Sequence, residues 1–138
     1  MPKLKEDYTK QEKINGVVYN MSPSANYRHS IVNGNIYGKL REGLKGSLCL
    51  AFMENLDYRY HVEKNDDYVI PDIMVICDRK YLKGSAYTGV PRFIVETLSP
   101  ATALNDKTIK KDIYQNAGVS EYMSLIHISE PTRHLRIS

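Results

Sequence analysis

Apolar positions along the chain gather into short runs bounded by Gly, Pro, Asn and Asp, and into two stretches with a helical repeat. Residues 12–21 (EKINGVVYNM) hold Asn15-Gly16 between two short runs, a strong β-hairpin signal. Ser22, Pro23 and Ser24 then offer helix caps, and Val32, Ile36, Leu40 and Leu44 recur every four residues. A helix over about 25–45 with that face buried is predicted. Gly34, Gly38 and Gly43 each cost it up to ~1 kcal/mol relative to Ala, so packing rather than propensity must hold it. Gly46 ends it.

Residues 47–52 and 56–62 read as strands, the second with Tyr58, Tyr60 and Val62 on one face and Asp57, Arg59 and His61 on the other. The run YVIPDIMVIC (68–77) is the most apolar in the chain and predicts a central strand. Pro71 removes a ladder hydrogen bond inside it, so an interruption is expected there. A loop with Gly84 and Gly89 leads to a second buried strand over 91–98, stopped by Ser99-Pro100. A helix over about 106–117 is expected to bury Ile109 and Ile113 and to end at Gly118, and Glu121-Tyr122 starts another strand.

Two carboxylates break this hydrophobic pattern. Asp72 interrupts YVIP-D-IMVIC and Glu96 interrupts RFIV-E-TL, so both are expected to be largely buried. An ionised carboxylate in an apolar strand costs several kcal/mol unless it is paired, hydrogen-bonded or bound to a metal. A divalent cation shared by the two would resolve both burials, and hard oxygen ligands suit Mg²⁺ or Mn²⁺. Backbone N–H groups or Arg and Lys partners would resolve them equally well, and on these residues alone both readings stand.

With 138 residues the chain suits one domain, and its 42% hydrophobic and 25% charged content is that of a globular protein without a membrane span. The charged N-terminus lacks a secretory apolar stretch, so a cytoplasmic location is expected. Cys49 and Cys77 each sit in an apolar run without metal-ligand spacing, which reads as buried thiols. The formal charge of +3 permits nucleic-acid binding without arguing for it.

A family resemblance enters through order and spacing: Gly16, Met21-Ser22-Pro23, His29, Pro71-Asp72, Gly89-Val90-Pro91, Glu96-Thr97-Leu98-Ser99-Pro100, Asp106, Lys110, Tyr114 and Gly118 to Tyr122. Over residues 12–122 this pattern resembles the Uma-two family of restriction-endonuclease-like proteins. The resemblance implies the α/β PD-(D/E)XK nuclease fold, a restriction-endonuclease-like mixed central sheet flanked by helices and here preceded by an N-terminal hairpin. It implies a DNA-cleaving enzyme in which Asp72 and Glu96 bind Mg²⁺ or Mn²⁺, with the Thr97 carbonyl as a further ligand. Leu98 stands where the superfamily pattern has lysine, and the resemblance places the replacement on the following helix at Lys110. Such a lysine would orient the attacking water and offset charge in the transition state. Lys107 and Lys111 flank it, and Asp106 lies one turn before it, spaced for an ion pair or a cap. Glu12, four residues before Gly16, is a further active-site acid by resemblance. His29 could contact a phosphate or pack locally, the structural role being the preferred reading. Arg79, Lys80, Tyr81 and Lys83 are candidates for a DNA groove, with simple solvation as the rival.

Ser124 to Arg133 (SLIHISEPTR) resembles the translation of a transposon-type sequencing adapter. Residues 1–11 are therefore expected to be an N-terminal extension, 12–123 a nuclease-like domain incomplete at its C-terminus, and 124–138 a non-native tail that packs against nothing from Pro131 onward. A catalytically inactive nucleic-acid-binding or assembly module of the same fold, and a functionless gene fragment, are the alternative readings. Homodimer formation is left open.

Overall fold

The computed structural model describes residues 11–20, 27–61, 66–98, 103–126 and 133–137. The hairpin forms as its turn chemistry demands. β1 (Gln11–Ile14) and β2 (Val17–Asn20) pair antiparallel around Asn15 and Gly16, whose φ angles of 53° and 80° lie in the left-handed region that Asn-Gly tolerates. Asp67 accepts from both turn amides, at 2.9 Å from Asn15 N and 2.9 Å from Gly16 N. The turn is thereby tied to a strand more than fifty residues on.

After α1 (Tyr27–Gly43) come β3 (Leu50–Met53), β4 (Asp57–His61), β5 (Asp67–Val69) and β6 (Ile73–Ile76). The run expected to be one central strand is thus two strands, separated at Ile70-Pro71-Asp72, where Pro71 has no N–H to give. The halves enter different sheets. A 3-10 turn at Arg79–Tyr81, the short strands β7 (Leu82–Lys83) and β8 (Ala86–Tyr87), then β9 (Phe93–Leu98), α2 (Ala103–Ala117), β10 (Glu121–Ile126) and β11 (Arg133–Ile137) complete the order. One sheet runs β2-β1-β5-β4-β8-β7 and the other β11-β10-β9-β6-β3. Both are mixed, since β10 lies parallel to β9 and β4 parallel to β8. The fold is α/β, as expected.

Alternation along β6 and β9 divides the core between two faces. Ile73, Val95 and Leu125 are buried beneath Val32, Ile36, Tyr37 and Leu40 of α1. Met74, Ile76, Ile94 and Tyr122 face the other way, against Tyr58, Val69 and Tyr87 of the second sheet and Tyr114 of α2. Each fully buried Ile or Val contributes about 1.5–3 kcal/mol.

Several expectations need correction. Val32, Ile36 and Leu40 of α1 pack against the core half-buried, Leu44 lies past the helix end, and the buried residue of the helix is Asn33. On α2, Ile109 is 43% exposed and Ile113 half-buried, whereas Lys110 and Tyr114 are buried. That helix turns toward a charged site, so the apolar rule selects the wrong face. Cys49 and Cys77 are half-buried and joined in a disulfide rather than being buried thiols. The register Leu50↔Ile76 sets them opposite each other one step beyond the β3–β6 ladder. Beyond Pro131, residues Arg133–Ile137 pair along all of β11 with β10 instead of packing against nothing. The open edge of β10 offers a row of N–H and C=O groups that an extended segment satisfies. Residues 21–26, the expected capping segment, and the side chains of Asp106 and Lys107 lie outside the described residues. Among the described residues no helix is long and apolar enough to cross a membrane.

Candidate active site

The break at Pro71 sets Asp72 at the point where the chain passes from one sheet to the other, just before β6. Glu96 lies on the neighbouring strand β9, paired with β6 through Ile73↔Val95. Both acids are buried, at 5% and 3% exposure. They are laced together by backbone: Thr97 N donates to Asp72 Oδ2 at 2.6 Å, and Asp72 N lies 3.4 Å from Glu96 Oε1.

From the α2 side, Lys110 Nζ donates to Glu96 Oε2 at 3.0 Å and to Glu12 Oε2 at 3.2 Å. Tyr114, one turn later on the same helix face, donates from its hydroxyl to Glu96 Oε2 at 2.5 Å. Glu12 is held in turn by Ile70 N, which donates to its Oε2 at 2.8 Å. Lys110, expected to project toward Asp72 and Glu96, thus bonds Glu96 of that pair together with Glu12. Lys111 is exposed and does not compete.

From the α1 side, His29 Nε2 stands 3.7 Å from Asp72 Oδ1. Asn33, one turn further along α1, accepts through Oδ1 from Thr97 Oγ1 at 2.6 Å. Thr97 therefore meets its neighbours here through its N–H and hydroxyl. Arg79, Lys80 and Lys83 are exposed, with Lys80 over the Tyr81 ring and 3.9 Å from Asp78.

The electrostatics follow from burial. Burial pushes the Glu96 carboxyl above its ordinary range; the Lys110 charge opposes this, the Asp72 and Glu12 charges add to it, and the Tyr114 hydrogen bond opposes it. For Lys110, burial alone would favour the neutral amine, but Glu96 and Glu12 outweigh it and hold the ammonium well above the usual lysine range. Burial, followed by the charges of Glu96 and Glu12, likewise keeps the Tyr114 hydroxyl protonated. Among the described residues, three buried carboxylates, those of Glu96, Glu12 and Asp72, act on the buried ammonium of Lys110.

A dication fits this cluster of acids. Among the described residues no group of three or more His, Cys, Asp or Glu side chains is set to hold a metal ion. Mg²⁺ needs no such cage, because it is commonly bound through one or two carboxylates together with water and substrate phosphate. The oxygen donors of Asp72 and Glu96 meet that requirement.

Tyr114 and Asn33 had no role assigned from sequence. The signal that finds them is the i,i+4 interval, since Tyr114 follows Lys110 and Asn33 follows His29 by one helical turn. A residue one turn from a candidate shares its face.

Comparison with known proteins agrees with this architecture. The chain is 27% identical over 115 residues to an uncharacterized protein of Synechocystis sp., covering 83% of this chain and 59% of that one. It thus spans a little over half the length of that curated relative. It is similar to a crystal structure described as "a putative nuclease belonging to DUF820" from Anabaena variabilis, with a TM-score of 0.70 at 18% identity. That likeness covers 95% of this chain and 79% of the other, and it shows the fold. A family model described as "Putative restriction endonuclease" matches residues 1–128, and the chain belongs to that family, Uma2.

Proposed function

We propose that this chain is a Mg²⁺- or Mn²⁺-dependent endonuclease that hydrolyses phosphodiester bonds in DNA, with Asp72 and Glu96 as the metal-binding carboxylates. The observation that carries this reading is a cluster of buried acids: among the described residues Glu12, Asp72 and Glu96 are buried together, with Lys110 paired to Glu12 and Glu96. A buried carboxylate without a counter-charge is costly. Asp72 and Glu96 would hold a dication, which would offset the charge of this acid cluster and supply Lewis-acid polarisation of the scissile phosphate.

The remaining work falls to the chain's own groups. Lys110 is held as an ammonium by its two carboxylate partners, so it acts as a donor and a fixed positive charge, not as a base. In this reading it orients water and offsets charge that develops on the phosphoryl oxygens. Glu12 fixes the lysine, and Tyr114 fixes the Glu96 oxygen that the lysine shares. The Uma2 family description supports DNA as the substrate class, and the nuclease title of the Anabaena variabilis neighbour supports a nucleic acid.

The test is nicking of supercoiled plasmid by the full chain with Mg²⁺ or Mn²⁺. Cleavage is expected to stop on chelation, and Glu96→Gln is expected to abolish it while the circular dichroism spectrum is kept. Cleavage that survives either change sinks the proposed site. A folded protein that binds DNA and cuts none supports the binding-module reading instead.

A further inference from the structure

Asn33 is buried at 1% exposure in the middle of α1, and its amide is only half satisfied. Oδ1 accepts from Thr97 Oγ1, while among the described residues nothing accepts from Nδ2. Buried donors of this kind are met in native proteins by protein or by ordered water. One turn earlier on the same face, the His29 Nε2 to Asp72 Oδ1 separation of 3.7 Å exceeds hydrogen-bond reach. A water in contact with both groups is compatible with such a separation. The His29 side chain is 24% exposed, which gives solvent a way in. Asn33 is also coupled to Asp72 by a second route, because the Thr97 that bonds it donates its N–H to Asp72 Oδ2.

We propose that a bound water accepts from Asn33 Nδ2 and donates to Asp72 Oδ1, with His29 Nε2 as its third partner, and that Asn33 is thereby a positioning residue for Asp72. Three partners lie within the two to four that a buried water ordinarily takes. A carboxylate oxygen accepts more than one bond, so the water is compatible with other contacts of Asp72. On one side Thr97 N fixes Oδ2, and on the other the water fixes Oδ1. The carboxylate plane is then set from both ends. Which nitrogen of His29 carries its proton decides whether the ring donates to the water or accepts from it.

The consequence for catalysis rests on the nuclease reading, whereas the water itself does not. A high-resolution crystal structure of the wild-type chain is expected to show an ordered water bonded to Asn33, His29 and Asp72. An Asn33 Nδ2 without water, or bonded to a protein acceptor, overturns the proposal. In solution the discriminating variant is Asn33→Asp, which keeps an oxygen for the Thr97 hydroxyl and removes the donor. Its kcat for Mg²⁺-dependent plasmid nicking is expected to fall about 10–100-fold, the range for losing a group that supports a metal ligand, with KM held, while the carboxylate it buries lowers the unfolding midpoint. A purely structural Asn33 predicts unchanged kcat in this variant, and that result also overturns the proposal. If the wild-type chain cuts no DNA, the nuclease reading falls, and the crystal structure still decides the water.

Discussion

The two sides of the acid pair are built on different principles. Toward α2, Glu96 meets an ammonium and a phenol inside a fully buried cluster, and its bonds are charge-assisted. Toward α1, Asp72 and Thr97 are held by a backbone N–H, an amide and an imidazole. Glu96 is answered by the Lys110 ammonium, while Asp72 takes the Thr97 N–H and faces His29. The side toward α2 is therefore where removing a residue does most harm.

That difference can be broken most forcefully at Lys110. Lys110→Met keeps volume and leaves Glu12 and Glu96 facing each other without a counter-charge, so urea unfolding is expected to show a loss of about 3–5 kcal/mol. A loss under 1 kcal/mol would mean that the lysine does not pair in solution. Tyr114→Phe removes one charge-assisted bond, with an expected loss of about 1.5–3 kcal/mol by the same measurement. Thr97→Val on the other side breaks a bond between neutral groups and is expected to cost about 1 kcal/mol. Equal losses from these two would erase the contrast.

Acid titration sharpens the comparison with a subtler effect. The folded-state pKa of Glu96 is raised, so the folded protein binds the extra proton first. Stability should fall as pH rises from the unfolded value of roughly 4.3 through the raised folded value. Asp67 behaves oppositely. Burial pushes its carboxyl up, but the Gly16 N–H, His61 and the Asn15 N–H outweigh that and hold it low. Its contribution is full above roughly pH 3.9 and is lost as pH falls through the lower folded value. Glu96→Gln should remove the first slope and Asp67→Asn the second, each read from denaturation midpoints against pH.

Much of this site was legible in the sequence because its acids violate the apolar pattern around them. Asp72 and Glu96 stand out in buried runs, and Asn15-Gly16 fixes the hairpin that carries Glu12. Lys110 came only from family resemblance, since on helix periodicity Ile109 and Ile113 are the better core candidates. The helix packs Lys110 and Tyr114 inward because its partner is a carboxylate cluster, which no local pattern announces. The Cys49–Cys77 bond was hidden for another reason. It depends on the register of β3 against β6, a long-range property. Pro71 signalled that the apolar run would break, but the assignment of its halves to two sheets depends on partners far along the chain.

The bond between Glu12 and Lys110 joins residues 98 positions apart. Contacts of that span close large loops, and they reward the chain only after the intervening elements have been ordered. During synthesis, a chain that has emerged only through β9 carries Glu12, Asp72 and Glu96 but no Lys110. Burying three carboxylates without their cation is unfavourable, so these acids stay hydrated until α2 arrives. α2 thus supplies the cation with which this acid cluster can close.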